Sequence, residues 1–477
     1  MKRIICVCML VLACMTSYGQ KLKRSVVYDK LQRNAAALPV LGRIQPVPSD
    51  LDRPSYWSVG CETLDRGYGN FEQYRAYLKG TGVGYGRIQS GWAQTEKEKG
   101  VYDFEWLDKI VDGMLEEEVH PWMCLCYGNN LYEDAGGLGS RLIQEEATLV
   151  AWEKYVKAVV KRYKDKITLW EVWNEPDLRH AKEYDAYAKL LTRTAKAIKS
   201  VDSKLKVAGF SLAKPETEYA ENCLNSLKKY GGLKYIDYAT FHAYFPNPDL
   251  IKDVAVEFQK LIDRYDPRIK ILQGEVGCPA QLEYGHALMN REWTETCQVK
   301  WDTRQMLSMF SIGVPSSVFT MTDLNYGTMI QSFGLVRANL KGDPQYLRPK
   351  YYGVQNVASI VTTDYVANND IKVTSSSTNK EITIVGMEKD SKVVGFFLWF
   401  GGEVPSDAIE REIVNLTVEG AELKDPVYVD MITGKIHNIK PILFRGAQVG
   451  DRLRITGIPL WDGPILIINR SEINMGK

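Results

Sequence analysis

Two glutamates one hundred residues apart each follow a short apolar run. The run Ile167 to Val172 leads into Trp173-Asn174-Glu175-Pro176, and the run Ile271 to Gly274 leads into Glu275. The proline that closes the first motif cannot donate to a sheet ladder, so it marks the end of a strand. Two carboxyl groups at strand ends are what cleaving a glycosidic bond requires, and Asn174 adds a donor for a sugar 2-hydroxyl. The chain is therefore predicted to be a glycoside hydrolase.

The two carboxyl groups need different surroundings. A nucleophile must stay ionised and needs donors and a positive neighbour, whereas an acid must hold its proton, which burial favours. Arg87 lies inside an otherwise apolar run, and a buried guanidinium normally pairs with a carboxylate. His242 and Tyr244 share one face of another run, because side chains two apart do so. We expect these three side chains to supply such surroundings; a structural ion pair and a packed aromatic are the alternatives.

Further aromatic and polar residues stand where apolar runs end. Sugar rings present apolar faces that stack on aromatic side chains, although core packing also uses aromatics. The residues predicted to contact substrate in this way are Trp92, Tyr127 and Phe319. Polar residues that could bind hydroxyls, or simply fix loops, are Glu62, Asp65, Arg66, Asn129 and Asp323.

Short apolar runs alternate with helix-patterned stretches from about residue 55 onward, which is typical of repeated βα units on a parallel sheet. The eight runs are Tyr56 to Cys61, Val83 to Gln89, His120 to Tyr127, Ile167 to Val172, Lys206 to Leu212, Tyr238 to Tyr244, Ile271 to Val276 and Ser317 to Thr322. This pattern predicts an α/β fold, a (β/α)8 TIM barrel over residues 55–348. Such a barrel places its active site at the carboxyl ends of the strands, where all of these candidates stand.

A different pattern begins after Pro349, where period-two strands follow one another without helices. The predicted strands are Glu381 to Met387, Val393 to Phe400, Glu412 to Val418, Val427 to Met431, Leu453 to Ile458 and Pro464 to Ile468. We predict a C-terminal β-sandwich domain over residues 349–477. Residues 20–54 are predicted to be an N-terminal arm, either irregular or an extra strand on that sandwich.

The first residues resemble a secretory signal peptide. Met1-Lys2-Arg3 precedes an apolar stretch that is too short to span a bilayer, and small residues support cleavage after Gly19. The protein is predicted to be exported to the periplasm or the medium, with a lipoprotein anchored at Cys14 as the alternative.

Six cysteines remain after the leader, an even number that permits disulfides, but buried thiols are the simpler interpretation. A formal charge of +1 favours neither nucleic acid nor a membrane surface, and five scattered histidines predict neither a metal site nor any cofactor.

These motifs together resemble the retaining glycoside hydrolases of clan A, and most closely family 39, whose members include β-xylosidases. The matching segments are Gly91-Trp92 with Glu96 through Phe104, Trp170 through Asp177, Phe241 through Tyr244, and Gly274-Glu275. The resemblance implies that Glu175 is the general acid/base and Glu275 the nucleophile, on a barrel with a C-terminal β-sandwich. Arg87, His242 and Tyr244 would then orient and charge-stabilise Glu275. One departure concerns the eighth strand. Clan A enzymes commonly carry a tryptophan at its end, where this chain has Val318-Phe319-Thr320, so the sugar accepted can differ.

The resulting prediction is a retaining glycosidase that acts on a poly- or oligosaccharide by double displacement. A catalytically silent glycan-binding barrel and a transglycosylase that uses the same residues are the alternatives. The identity of the sugar, and cleavage at chain ends or in the interior, are left open by the sequence.

Overall fold

The computed structural model describes residues 22–135, 142–215, 218–443 and 448–476. The predicted leader, residues 1–19, with its alternative anchor at Cys14, lies outside these ranges. Within them, no helix is both long enough and apolar enough to cross a bilayer. The cysteines of the described ranges, residues 61, 124, 126, 223, 278 and 297, are all buried free thiols.

Eight parallel strands close into a barrel, as predicted. They are Trp57–Gly60, Tyr85–Gln89, His120–Leu125, Leu169–Val172, Lys206–Leu212, Tyr238–Phe241, Lys270–Val276 and Ser316–Val318. Each strand pairs with its neighbours in chain order, and the eighth closes the ring against the first, with Ser317 opposite Ser58. Because all strands run the same way, their carboxyl ends meet at one mouth.

Helices connect these strands and pack around them. The longer ones are Glu105–Glu116, Glu146–Tyr163, Tyr184–Val201, Glu218–Tyr230, Ile251–Asp263, Glu295–Phe310 and Pro349–Ile360. The first crossover has only the short helix Phe71–Tyr74 followed by 3-10 turns. Two further short helices, Trp92–Thr95 and Pro176–Arg179, follow the second and fourth strands at the mouth.

The change of pattern predicted at residue 349 is the main difference in the fold. Residues Pro349–Ile360 form a helix that packs against Glu295–Phe310, so they complete the ring of helices around the barrel. Most of this helix is buried, including the polar side chains of Lys350 and Asn356. A helix buried on most faces lacks the apolar stripe by which a helix is recognised in a sequence.

Two antiparallel sheets follow the barrel. Their strands from the C-terminal part of the chain are Val366–Asn368, Lys372–Ser375, Ile382–Lys389, Lys392–Phe400, Glu412–Glu419, Pro426–Asp430, Lys435–Asn438, Gln448–Val449, Arg452–Leu460, Ile465–Asn469 and Met475–Gly476. One sheet has eight strands and the other four. Side chains from both, such as Phe396 and Leu398 on one and Leu416 and Ile455 on the other, share one apolar core. This arrangement is consistent with the predicted β-sandwich.

The N-terminal arm joins both parts of the molecule. Val40–Ile44 is a strand of the eight-stranded sheet, between Lys435–Asn438 and Met475–Gly476. Before it, helix Val26–Arg33 begins at Ser25, whose hydroxyl accepts from the backbone N–H of Val27 at 3.1 Å. The remaining short strands, at the edges of the barrel, are Lys23–Arg24, Leu324–Asn325, Ile330–Gln331, Val336–Ala338 and Pro344–Leu347.

Candidate active site

Glu175 stands at the carboxyl end of the fourth strand in a constrained turn. Its φ is 49°, and the φ of Trp173 is 69°, so two residues close to the strand end adopt left-handed conformations that cost free energy. Backbone hydrogen bonds to both neighbouring strands hold this turn, from the Trp173 N–H to the Leu125 carbonyl at 3.0 Å and from the Glu175 N–H to the Ser211 carbonyl at 3.0 Å. The turn therefore fixes the direction in which the Glu175 carboxyl group leaves the backbone.

Glu175 and Glu275 meet above the barrel. A carboxyl oxygen of each lies within 4.8 Å of the other, and an imidazole nitrogen of His242 is within the same distance of both. The Nδ1 atom of His242 is 2.8 Å from Glu175 Oε1 and 3.9 Å from Glu275 Oε1. His242 and Glu275 stand at the ends of neighbouring strands, the sixth and the seventh, which explains why the three side chains converge.

Two donors hold the carboxyl group of Glu275. The Tyr244 hydroxyl donates to Oε1 at 2.9 Å, and Nη1 of Arg87 donates to Oε2 at 2.9 Å. Gly274 allows this close packing, because a β-carbon there would lie 3.2 Å from a carboxyl oxygen of Glu171. The two hydrogen bonds fix the position of the Glu275 carboxyl group, as a nucleophile requires.

Arg87 is the centre of the polar network in the barrel mouth. It is fully buried, and its guanidinium reaches Glu171 through Nε at 2.9 Å and Nη2 at 2.5 Å. Nη1 donates to Glu62 at 3.0 Å as well as to Glu275, and Nη2 also donates to Asn174 Oδ1 at 2.8 Å. A guanidinium has five N–H donors, so these five bonds engage all of them.

Glu171 was not among the predicted site residues. It lies on the fourth strand, is fully buried, and accepts from the Thr240 hydroxyl at 2.5 Å in addition to Arg87. The signal that identified Arg87, a charged residue inside an apolar run, applies equally to Glu171. Glu62, which the sequence suggested as a hydroxyl ligand, is only 2% exposed and pairs with Arg87 instead.

Burial changes the pKa values of Glu175 and His242. It raises the pKa of Glu175, and the nearby Glu275 charge adds to that, although the hydrogen bond from His242 opposes it. Burial alone would lower the pKa of His242, but Glu275 and Glu175 outweigh it and raise the pKa. Glu175 is thus placed to hold a proton at a pH where an exposed glutamate would have lost it.

Asn174 and Tyr127 complete the side of the mouth beside Glu175. Asn174 accepts from Arg87 through its amide oxygen, and its amide nitrogen donates to the Tyr127 hydroxyl at 2.9 Å. The ring of Tyr127 contacts Trp173 edge-on at 5.7 Å between centroids, and the guanidinium of Arg66 lies 5.1 Å from its centroid. These contacts bring both predicted residues into the network.

Three other predicted residues, Trp92, Asn129 and Asp323, form their hydrogen bonds with protein groups of the surrounding loops. The indole N–H of the fully buried Trp92 donates to Glu96, and its ring stacks on Tyr132 at 4.9 Å. Asn129 donates to the backbone carbonyl of Glu96 at 2.8 Å.

Asp323, the third of them, is fully buried and pairs with Arg348, with Nη2 to Oδ2 at 3.0 Å. These side chains therefore stabilise loops, and they do not reach Glu175 and Glu275.

Phe319 packs edge-on against Phe333 at 5.5 Å between ring centroids, and Phe333 packs on Tyr244 at 6.2 Å, so Phe319 borders the site through an intermediate ring.

Comparisons with known proteins agree with this architecture. Residues 70–261, which include Arg87, Glu175, His242 and Tyr244, match the model of glycosyl hydrolases family 39. A β-xylosidase of Geobacillus stearothermophilus is 25% identical over 187 residues, or 34% of this chain and 34% of that protein. The match therefore spans about a third of the relative's length. It supports the prediction of a glycosidase.

Solved structures share the fold over most of the chain. A family 39 glycoside hydrolase from Bacteroides cellulosilyticus WH2 has a TM-score of 0.65 at 16% identity, covering 89% of this chain and 83% of that one. A monomeric β-xylosidase from Caulobacter crescentus CB15 has a TM-score of 0.58 at 16% identity, covering 90% and 98%. The predicted resemblance to family 39 glycoside hydrolases is confirmed, and with it the TIM barrel.

Proposed function

We propose that this protein is a retaining glycosidase that cleaves β-glycosidic bonds by double displacement. The observation that carries the proposal is the approach of a Glu175 oxygen to within 4.8 Å of a Glu275 oxygen. Retaining glycosidases hold their carboxyl groups about 5–5.5 Å apart, whereas inverting enzymes leave about 6.5–9.5 Å for a water molecule. The shorter separation favours direct attack by a carboxylate.

The surroundings of each carboxyl group support its role. Glu275, held by Tyr244 and Arg87, attacks the anomeric carbon, while Glu175 gives its proton to the departing oxygen. The product of this step is a sugar esterified to Glu275. Glu175, now a carboxylate, takes a proton from water, whose oxygen attacks the same carbon and frees Glu275. Asn174 is proposed to bind the 2-hydroxyl, with Tyr127 beside it.

The substrate is proposed to be a neutral β-sugar, and β-xylosides are the first to test. The curated relative and one of the structural neighbours are β-xylosidases. In addition, all five donors of Arg87 bond to protein groups, so this guanidinium has none left for the carboxylate of an acidic sugar. A transglycosylase would use the same residues, and its products distinguish it.

The test separates the two glutamates. Glu175→Ala should retain glycosylation from an aryl β-xyloside with a good leaving group and recover turnover with azide, giving a β-glycosyl azide. Glu275→Ala should be inactive on every substrate, and Glu72→Ala, on the outer surface, should behave as wild type. For the wild-type enzyme, proton NMR should show that the sugar is first released as the β-anomer. An α-anomer, or equal loss in both active-site variants, contradicts the proposal.

Sugar binding by the C-terminal sheets finds no support in their tryptophans. Trp399 is fully buried and its N–H points at Asp249, 3.3 Å away. Trp461 lines a cleft of about 950 Å³, but cations lie over its ring, Lys300 at 4.7 Å and Arg411 at 4.1 Å from the centroid. Neither offers an open face on which a sugar ring could stack.

We also propose export, from the signal-like first residues. Fractionation of cells that express the full chain should place activity in the periplasm or the medium, with the mature protein starting at Gln20. A membrane-bound form that begins at Cys14 would instead indicate the lipoprotein alternative.

A further inference from the structure

One guanidinium serves three carboxyl groups in the barrel mouth. Nη1 of Arg87 is shared, since it donates to Glu62 Oε1 at 3.0 Å and to Glu275 Oε2 at 2.9 Å, while Glu171 takes Nε and Nη2. Glu62 and Glu171 are at most 2% exposed. Glu175 brings a fourth carboxyl group to the same mouth, where it is hydrogen-bonded to His242.

The charges of this cluster do not balance if every acid is ionised. Glu175 must hold a proton to act as the acid, and Glu275 must be ionised to attack. Glu171 accepts two bonds from Arg87 and one from Thr240, so it is the main ion-pair partner of the guanidinium. An ionised Glu62 would then place a third negative charge around Arg87, and burying the Glu62 charge without compensation is costly.

The position of Glu62 also favours a neutral side chain. Its Oε2 atom is buried and has no hydrogen-bond partner. That oxygen lies over Gly60, where a β-carbon would be only 2.3 Å from it, so the glycine makes room for the carboxyl group. An oxygen without a partner costs less in a neutral carboxyl group than in a carboxylate.

We propose that Glu62 is a positioning residue that holds a proton in the resting enzyme and releases it when Glu275 is esterified. The inference rests on the proposed retaining mechanism. In the first step the Glu275 oxygen bonds to the anomeric carbon and its negative charge is lost. Glu62 then gives its proton to solvent and replaces Glu275 as the charged partner of Nη1. When water releases the sugar, the Glu275 carboxylate returns and Glu62 takes a proton back.

The electrostatic environment places this exchange in the neutral range. Burial raises the pKa of Glu62 to about 7, with Arg87 lowering it and the Glu275 charge raising it. Loss of the Glu275 charge removes one of the causes of the raised pKa. The other titratable groups whose charges interact with Glu62 are Cys61, Tyr74, Tyr244 and Tyr326. The pKa of each of these is raised, so they remain neutral near pH 7.

Carboxyl ¹³C NMR of the full chain, labelled at glutamate side chains, tests the inference directly. Glu62→Gln assigns the Glu62 signal by its disappearance, and Glu275→Gln imitates the esterified nucleophile because its amide is neutral. We expect the Glu62 midpoint to fall by about one to two pH units in Glu275→Gln, because the charge removed is bonded to the same Nη1 atom as Glu62 and a charge so close shifts a pKa by about one to three units. An unchanged midpoint, or a Glu62 ionised throughout, overturns the proposal.

A matched control and a second variant keep the result specific. Glu283 is also 2% exposed, but it bonds to Ser332 and not to Arg87, so its midpoint should not move in Glu275→Gln. If Glu62→Gln does not fold, Gly60→Ala assigns the signal, since the added methyl group displaces the Glu62 carboxyl group.

Trapping with a 2-fluoro β-xyloside separates this inference from the proposed function. Mass spectrometry should find the sugar on Glu275, and the midpoint of Glu62 should fall as in Glu275→Gln. If Glu275 is labelled and the midpoint of Glu62 stays, only the role of Glu62 is wrong. If a panel of 2-fluoro glycosides labels no residue or a different one, the mechanism fails and the role of Glu62 with it.

Discussion

The hydroxyl of Tyr244 offers a sharp test of how the site stabilises its nucleophile. It donates to Glu275 Oε1 at 2.9 Å, while Arg87 donates to the other oxygen at the same distance. Tyr244→Phe removes this one O–H and keeps the ring that packs on Phe333. The carboxylate of Glu275 loses a donor that its sugar ester does not need, so the variant should release the sugar from Glu275 more slowly.

The size of the effect follows from the bond that is lost. A hydrogen bond to a charged group contributes about 1.5–3 kcal/mol, and about 1.4 kcal/mol corresponds to a factor of ten in rate, so the loss lies between about 10-fold and 100-fold. The Glu275 side chain is 13% exposed and keeps its bond to Arg87, so water and the guanidinium compensate in part. We expect the rate of sugar release to fall by about tenfold.

The assay is kcat for an aryl β-xyloside with a good leaving group. Such a substrate forms the sugar ester quickly, so kcat reports release of the sugar from Glu275. Tyr265→Phe is the matched control, because its hydroxyl also bonds at 2.9 Å, but to the neutral amide of Asn225 outside the barrel. A kcat that stays the same or rises in Tyr244→Phe would refute the reasoning.

Three further predictions concern the acid, the packing and the central cation. With a poor leaving group, wild-type kcat/KM should fall as the pH rises through the raised pKa of Glu175. Glu175→Gln should lose this basic limb of the pH profile and about 10²–10⁴-fold in rate. A basic limb that persists in Glu175→Gln contradicts the assignment of Glu175 as the acid. Gly274→Ala places a methyl group 3.2 Å from Glu171 and should cost about 1–3 kcal/mol of stability in urea unfolding, whereas Gly285→Ala, whose nearest neighbour is 3.9 Å away, should change little. Arg87→Met leaves buried carboxyl groups unpaired and should cost about 3–5 kcal/mol by the same measurement, against at most about 1 kcal/mol for the more exposed Arg75→Met.

The barrel could be predicted because its strands carry a local signal. Each buried parallel strand is a short apolar run, and all eight runs overlap the observed strands. The six strands predicted in the C-terminal part also occur, with ends within two residues. Elements without a local pattern were not found, such as the buried helix Pro349–Ile360 and the short strands Val366–Asn368 and Lys435–Asn438.

Within the candidate site, the residues that could be predicted were those at unusual positions in a strand or at its end. Arg87 was such a residue, because a guanidinium in an apolar run needs a partner in the fold. Its main partner, Glu171, carried the same signal and was not predicted as a site residue. Trp92, Asn129 and Asp323 stand at strand ends as well, yet their polar atoms bond to Glu96 and Arg348 inside the loops. Position at a strand end does not reveal which way a loop side chain turns.

The sequence alone determined that the two acids are glutamates at strand ends. It also determined the parallel order of the strands, which carries both glutamates to one mouth of the barrel. These features follow from local patterning and chain direction. Only the tertiary structure decided that Glu175 and Glu275 approach within 4.8 Å and that Arg87 divides its donors among three carboxyl groups. Distances and proton positions depend on contacts between residues far apart in the chain, and such contacts leave no periodic trace in the sequence. The shared guanidinium, and with it the proton proposed for Glu62, exists only when strands one, two, four and seven are closed into the same barrel.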